Sequence, residues 1–200
     1  MAPRISEEAK EEKRLALLDA ALECFSQKGY YASSVDDIVR YSNLSKGSVY
    51  NYFDSKEDIF ISLLQHQTKT SLERLNKVLR EIESPLEKLK YWINLDIPFN
   101  LHKKKMMRVH IEFWMYSSDS PDVKKVLTDR FDTVLGIVKD IIAEGIEAGE
   151  FKKDVDPEKA AGMFWALHDG LWLHTLVRFD EKQLEERIKE IETTMLAYLT

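Results

Sequence analysis

The stretch LSKGSVYNYFDSK, residues 44–56, decides how the N-terminal part of the chain folds. Val49 and Phe53 are four residues apart, so a helix places both on one face, where they can anchor it to a core. Ser45 stands where a helix N-cap is expected. The stretch therefore predicts a short helix through about Tyr52, with its remaining polar side chains on other faces.

Helical spacing continues upstream of this stretch. Apolar residues recur every three or four positions over about 7–28, and Gly29 follows where a helix C-cap is expected. Ser34 with Asp37 three residues later is typical of a capping box and predicts a second helix ending near residue 41. The segment Ser42-Asn43-Leu44 then predicts a tight turn, because Asn tolerates a left-handed backbone. Three helices with short connections are thus expected in the first 56 residues.

The same spacing continues downstream, with no sustained alternation typical of strands. Helices are expected at about 56–82, 85–100, 103–116, 121–147, 157–178 and 181–199. Proline lies at the probable first turn of three of them, at Pro85, Pro121 and Pro157. We expect an all-α protein of about nine helices, with an N-terminal domain over 1–56 and a second helical domain over 57–200.

Composition is that of a globular protein with few turns: 44% of residues are apolar, 32% are charged, and there are seven Gly and five Pro. The single Cys24 cannot pair within the chain, which favours a reducing cytoplasm. Residues 1–14 carry eight charges and no apolar block, so no signal peptide is expected there. The apolar run Ala160–Val177 is interrupted by charged and histidine residues, which predicts a buried helix rather than a membrane span.

The net charge of −6 argues at first against a nucleic-acid partner. Its distribution is uneven, however. From Ile38 to Lys56 the chain has Arg40, Lys46 and Lys56 against Asp54 alone, a local charge of +2. The acidic excess lies mainly after residue 56, so a small basic face near the N-terminal end is compatible with the average.

Two short helices joined by a turn of three or four residues have the dimensions of a helix-turn-helix. Outside its anchoring face, the second helix offers donors, an amide and an aromatic hydroxyl, the groups that bind phosphates and base edges. Gly47 is costly inside a helix, which favours a close approach of the backbone to a partner. On geometry alone, an inert polar face explains these residues equally well.

Two sequence patterns in the N-terminal part of the chain resemble those of a known protein family. They are LxxAxxxFxxxGYxxSSVxxI at residues 18–38 and LSKGSVYNYFxSKE at residues 44–57. Over about residues 12–60, without a gap, the chain closely resembles the DNA-binding domain of the tetracycline-repressor-like (TetR/AcrR) transcriptional regulators. The family usually has Thr at Ser33, Ala at Val39 and Ala-Gly at Ser42-Asn43, and each departure is mild in size and chemistry.

The resemblance implies a homodimeric repressor whose paired recognition helices enter successive major grooves of a palindromic double-stranded DNA operator, about 34 Å apart. By position, it implies phosphate contacts from Ser33, Ser34, Tyr50, Tyr52 and Lys56. It implies base-edge contacts from Lys46, Gly47, Ser48 and Asn51. The N-terminal cations add backbone or minor-groove contacts or form a solvated arm; they are Arg4, Lys10, Lys13 and Arg14.

Farther along, the segment from Gly149 to Leu171 resembles the loop into the family's last two helices. Those helices usually form the dimer as an intermolecular four-helix bundle. Independently of the resemblance, Gly162, Ala166 and Gly170 are spaced four residues apart, which allows another helix to approach closely. Packing within one chain explains this spacing nearly as well.

The family resemblance also implies a pocket for a small lipophilic inducer in the middle helices. Such a pocket is mainly apolar, with a few polar groups such as His110 or His168 that orient the ligand. The alternative for each residue is ordinary core packing. The candidates are Trp92, Phe99, Met106, His110, Phe113, Trp114, Phe131, Trp165, His168 and Trp172.

An enzyme is the competing class, and the chain lacks the common hydrolase, metalloprotease and phosphate-loop motifs. His168 and His174 are six residues apart and point away from each other on one helix, so we expect no shared metal. We expect no enzyme activity, cofactor or membrane partner. A helical dimeric interaction or ligand-binding protein without operator binding remains the alternative function.

Overall fold

The computed structural model describes residues 6–42, 44–97, 99–177 and 180–200, except the side chain of residue 181. These residues form nine helices and no strand, which confirms the all-α prediction. The helices are α1 Glu7–Lys28, α2 Val35–Ser42, α3 Lys46–Tyr50, α4 Lys56–Leu79, α5 Pro85–Ile93, α6 Leu101–Tyr116, α7 Pro121–Glu147, α8 Pro157–Val177 and α9 Glu181–Leu199. The predictions for Asn43 and Arg4 lie outside the described residues.

The predicted caps around the helix-turn-helix are confirmed. Gly29 ends α1 with φ of 84°, in the region that favours glycine. The Ser34 and Asp37 side chains each accept the other's backbone N–H, at 3.2 and 3.0 Å, as in a capping box. Ser45 Oγ accepts the Ser48 N–H at 3.2 Å and begins α3.

Two predicted helices are too long. The short helix α3 ends at Tyr50 rather than near Tyr52, because the Tyr52 N–H bonds to the Val49 carbonyl three residues back. Likewise α5 ends at Ile93 rather than near residue 100, because the Leu95 N–H bonds to the Trp92 carbonyl three residues back. Bonds of this spacing tighten the backbone and end an α-helix.

The chain folds into two compact units. The first, called the N-terminal unit, comprises Met1–Lys69 and Lys105–Val126. The second, called the C-terminal unit, comprises Thr70–Lys104 and Leu127–Thr200. The domain boundary at residue 56 stays a prediction.

An aromatic core holds the N-terminal unit together. Phe60 stacks on Tyr30 and on Phe113, with ring centroids 4.1 and 3.8 Å apart, and meets the edge of Phe25 at 5.1 Å. Phe25, Phe60 and Phe113 are fully buried. Because Phe113 lies on α6, that helix belongs to the same core as α1, which supports the helix-turn-helix.

The core of the C-terminal unit joins α5, α7, α8 and α9 through buried apolar side chains. Glu150 also fixes the start of α5, since its carboxylate accepts from the Ser84 hydroxyl and the Leu86 N–H, both at 2.8 Å. Before it, Gly145 lies against the Phe151 ring, where a Cβ would come within 2.1 Å of a ring carbon. The core residues include Leu89, Val138, Ile142, Ala160, Ala161, Phe164, Leu184, Ile188 and Met195.

The helix α8 is not buried on all sides, so the prediction of a buried helix over 160–177 is wrong in part. Ala161 and Phe164 are in the core, but Leu173 is 45% exposed and Val177 is 90% exposed. The apolar residues of α8 extend beyond the face that packs on the core. The opposite face of this helix is exposed to solvent in the single chain. None of the described helices is long and apolar enough to cross a membrane.

Candidate nucleic-acid interface and ligand site

The short helix α3 is fixed from beneath by the two predicted anchors. Val49 is fully buried and Phe53 is 3% exposed, which confirms the anchoring face. The opposite side of α3 is open to solvent. A Cβ built on Gly47 would meet nothing within 4 Å, so packing inside the chain does not require glycine there.

Most of the predicted DNA-contacting residues lie together at this surface. Ser34, Lys46, Gly47, Tyr50 and Asn51 are exposed, and Tyr50 keeps 49% of its surface. Ser48 and Tyr52 are half-buried. Donors, acceptors and an open backbone thus occur side by side around the N-terminal end and outer face of α3.

Ser33 and Lys56, two of the predicted phosphate contacts, are already used inside the unit, and the Ser34 hydroxyl is bonded to Asp37. Ser33 is 5% exposed, and its hydroxyl donates to the Gly29 carbonyl at 2.6 Å. The Lys56 ammonium donates to the carbonyls of Tyr30 and Ser33, both at 2.8 Å, and lies 4.2 Å from the Tyr30 ring centroid. Burial lowers the pKa of Lys56 below its ordinary value. Both residues thus hold the turn between α1 and α2 in the free protein.

The remaining cations near α3 have carboxylate partners. Lys46 Nζ lies 2.8 Å from Asp36 Oδ1, and this neighbour raises the pKa of Lys46. Asp37 pairs with Lys28 at 2.6 Å and with Arg40 at 3.1 Å. Bonds from Lys28 and Ser34 hold the pKa of Asp37 well below its usual range.

The local charge of +2 thus overstates the free positive charge. The counted window, Ile38 to Lys56, stops just short of Asp36 and Asp37, which precede it on α2. The positions of these two acids in the sequence do not predict that α2 and α3 bring Asp36 into contact with Lys46.

Polar contacts from α6 and the residues after it also reach the α1–α2 turn. The Glu112 carboxylate accepts the Tyr30 N–H, and burial raises the pKa of Glu112. The Tyr31 hydroxyl donates to Asp119 at 2.5 Å, and Lys105 pairs with Glu23 at 2.5 Å. Sequence reasoning missed these residues, because their partners are about eighty positions away.

The predicted ligand-binding residues are divided between the units. Met106, His110, Phe113 and Trp114 lie on α6 in the N-terminal unit. The other members lie in the C-terminal unit: Trp92, Phe99, Phe131, Trp165, His168 and Trp172. Most of these side chains are buried or half-buried, but Phe131 is 45% exposed.

A half-buried charge cluster surrounds His168 on α8. Its Nε2 lies 3.2 Å from Asp96 Oδ2, and its Nδ1 lies 3.5 Å from Asp169 Oδ1. Burial would lower the pKa of His168, but the two carboxylates outweigh it and raise the pKa to about 9. Trp172 Nε1 also donates to Asp96 Oδ2, at 2.8 Å, and burial of Asp96 is outweighed so that its pKa is lowered. The imidazole is therefore protonated at neutral pH.

A shallow groove of about 570 Å³ runs between α8 and α9. Two of the three predicted dimer residues, Ala166 and Gly170, line it. A Cβ built on Gly162 or Gly170 would meet nothing within 4 Å, so packing inside the chain does not explain these glycines. The other lining residues are Leu167, Leu171, His174, Arg187, Glu190, Ile191 and Thr194.

Comparison with known proteins gives a family match in each half of the chain. Residues 17–63 match the model of bacterial regulatory proteins of the tetR family. Residues 85–197, more than half of the chain, match the C-terminal model of BetI-type transcriptional repressors. The chain belongs to the TetR family. As a TetR-family protein it is a ligand-responsive DNA-binding transcriptional repressor, which confirms the functional class predicted from the sequence.

Individual TetR-family relatives match this chain over nearly its whole length. The chain is 26% identical over 185 residues to the fatty acid metabolism regulator protein of Bacillus subtilis, covering 91% of this chain and 94% of that protein. The fold is shared with a transcriptional regulator from Saccharomonospora viridis solved with choline, at a TM-score of 0.86, 23% identity and 94% and 98% coverage. It is also shared with the B. subtilis regulator FadR solved with stearoyl-CoA, at a TM-score of 0.81, 23% identity and 93% and 99% coverage.

Proposed function

We propose that this TetR-family protein acts in the cytoplasm as a homodimer that binds a palindromic operator through α3 and is released by a small lipophilic ligand. The observation that carries the operator role is α3 itself. Val49 on its inner face and Phe53 just after its end are buried, while Lys46, Gly47 and the C-cap Asn51 are exposed together. A short helix held from beneath with an amide and a cation outward is suited to the major groove.

Within this interface we assign the contacts by exposure. Lys46, Gly47, Ser48 and Asn51 face base edges, and an amide such as Asn51 pairs well with adenine. Tyr50, Tyr52 and the exposed Ser34, whose hydroxyl also bonds to Asp37, meet phosphates. Ser33 and Lys56 support these contacts by holding the α1–α2 turn, since their polar atoms bond to backbone carbonyls.

The experiment is a salt titration of binding to a duplex that carries the region upstream of the gene. We expect affinity to fall steeply with salt, because bound phosphates release counterions. Asn51→Ala should lower operator affinity by about 1–3 kcal/mol if the amide contacts a base pair. Asn76→Ala removes an exposed amide from α4 and is the matched control. Equal affinity of Asn51→Ala and wild type would contradict the assignment of α3 as the recognition helix.

For the homodimer, we propose a second copy of the chain as the occupant of the α8–α9 groove. Its open glycines and exposed apolar side chains, such as Leu167 at 38%, support this choice, as does the apolar face left uncovered on α8. Gly170→Leu adds bulk that a single chain accommodates but a facing helix does not. We expect it to weaken the dimer in light scattering, whereas Gly136→Leu, at an equally open helical glycine, should not. A dimer unaffected by Gly170→Leu would place the interface elsewhere.

The proposed ligand is small and lipophilic because the candidate residues are mainly aromatic, and the relatives bind or regulate such compounds. One similar structure contains stearoyl-CoA, and a curated relative regulates fatty acid metabolism. Choline in another similar structure indicates that ligand chemistry varies on this fold. Release of the operator duplex by added ligand, measured by fluorescence anisotropy, tests this part of the proposal.

A further inference from the structure

Trp165 carries an unused hydrogen-bond donor in the C-terminal unit. The residue is 9% exposed, and its buried indole N–H has no hydrogen-bond partner in the structure. An unsatisfied buried donor is costly, and native proteins satisfy most of them. The neighbouring Trp172 shows the usual arrangement, since its indole N–H donates to Asp96 at 2.8 Å.

The surroundings of Trp165 are aromatic. Its ring lies 5.3 Å from Phe164, 6.1 Å from Trp92 and 5.1 Å from His168, between ring centroids. Each pair is close to edge-to-face. A ligand site for a flat or lipophilic molecule typically has aromatic rings on several sides and one polar group that orients the ligand. The rings around Trp165 and its unpaired indole N–H fit this description.

The charges near this donor disfavour one class of ligand. The two carboxylates, Asp96 and Asp169, both face His168, whose ring nitrogens are each directed at a carboxylate and must both donate. Asp169 also interacts with the positive charge of Arg130, and Asp96 with that of Lys103. Both carboxylates are thus already engaged by positive groups, and the protonated His168 ring lies 5.1 Å from the Trp165 ring, so a cationic ligand is disfavoured at this site.

We infer that the Trp165 indole N–H is the orienting donor of the ligand site, and that the ligand has an oxygen acceptor on an aromatic or lipophilic body and is not a cation. This inference rests on the proposed ligand response and names the chemistry of its site. The acceptor is either a neutral carbonyl or a carboxylate. Both satisfy the same donor, and the surrounding charges tolerate both.

The test uses four probes of similar size on the full-length protein: 2-acetylnaphthalene, 2-naphthoate, 2-ethylnaphthalene and (2-naphthylmethyl)trimethylammonium. Calorimetry gives the affinities. Nitrogen-edited NMR follows the indole protons of the four tryptophans, with the Trp165 signal assigned from Trp165→Phe. We expect 2-acetylnaphthalene or 2-naphthoate to bind at least tenfold more tightly than the other two and to move the Trp165 indole proton downfield. The tighter of these two probes identifies the acceptor as a carbonyl or a carboxylate.

Trp165→Phe keeps an aromatic ring but removes the donor, so it should cost about tenfold in affinity for the acceptor-bearing probe and nothing for 2-ethylnaphthalene. Trp92→Phe is the matched control and should leave the difference between these two probes intact. Tightest binding of the trimethylammonium probe, binding of the ethyl compound as tight as that of both acceptor-bearing probes, or binding of none would overturn the inference. If the acceptor probe binds through Trp165 but leaves the operator complex intact, the inference stands and the proposed ligand response fails.

Discussion

Lys46 on α3 and Asp36 on α2 form an ion pair, with Lys46 Nζ 2.8 Å from Asp36 Oδ1. Both side chains are 55% exposed. The pair is thus weak in water and easily exchanged for a contact with DNA. Its importance is its place, because the carboxylate lies beside the cation of the proposed recognition helix.

Removing this carboxylate should strengthen binding to any DNA more than binding to the operator. Asp36→Asn frees Lys46 and removes a negative charge that repels phosphate, so we expect tighter binding to a random duplex and a steeper salt dependence by about one unit of slope. Asp19→Asn changes the net charge equally at an exposed site on α1 and is the control. A random-duplex affinity that is the same for both variants would show that only total charge matters.

Gly47→Ala should separate stability from DNA binding. The built Cβ meets nothing within 4 Å, so alanine should stabilise the folded chain by about 0.5–1 kcal/mol through its helix propensity. If the α3 backbone approaches DNA at Gly47, the same methyl group weakens operator binding. Urea unfolding and operator titration measure the two effects, with Gly136→Ala as the control at another open helical glycine. Unchanged operator affinity would remove Gly47 from the interface.

Lys56→Met should destabilise the fold. The ammonium bonds to the Tyr30 and Ser33 carbonyls, and losing it removes both bonds, although the Tyr30 carbonyl keeps the Ser33 N–H; we expect a cost of about 1–3 kcal/mol in the free energy of unfolding. Lys77→Met, at an exposed position of α4, should have little effect. The salt slope of operator binding distinguishes the roles: it stays constant if Lys56 supports the turn and falls by about one if it contacts phosphate.

The His168 cluster should make stability fall at alkaline pH. Because the folded protein raises the pKa of His168 to about 9, the stabilisation from its proton is complete below about pH 6.5 and is lost as the pH rises through about 9. The pKa of Asp96 is lowered in the folded protein, so the stability that its carboxylate contributes is lost as the pH falls into the acid range. Urea midpoints between pH 6 and pH 10 should therefore decline on the alkaline side, and this decline should be smaller in His168→Gln. Parallel alkaline curves for the two proteins would mean that the imidazole is neutral in the fold.

The sequence predicted elements whose causes are local. Ser34 and Asp37 cap each other within four residues, and Val49 and Phe53 share a face, so spacing alone was sufficient. Helix ends were less predictable, since α5 stops at Ile93 through turn bonds that no residue pattern announced.

The internal roles of Ser33 and Lys56 were missed for a different reason. The partners of Lys56 lie on another segment, while Ser33 bonds to Gly29 in the same turn. A side chain that can bind phosphate can equally bind a backbone carbonyl. The His168 cluster is similar, because Asp96 is seventy-two positions away and no motif links the two. Residue type predicted which groups are capable of binding, and the fold determined which of them are already occupied.

If the proposed homodimer covers the open apolar face of α8, the number of chains in the cell directly influences control of the target gene. In that case a newly made chain exposes Leu173 and Val177 until a second copy covers them, and pairing would have to follow synthesis closely to avoid misassociation. At low copy number the paired fraction decreases, and occupancy of a two-part operator decreases faster than the amount of protein. A modest change in expression would then change operator occupancy more steeply than it would for a regulator that binds as a single chain.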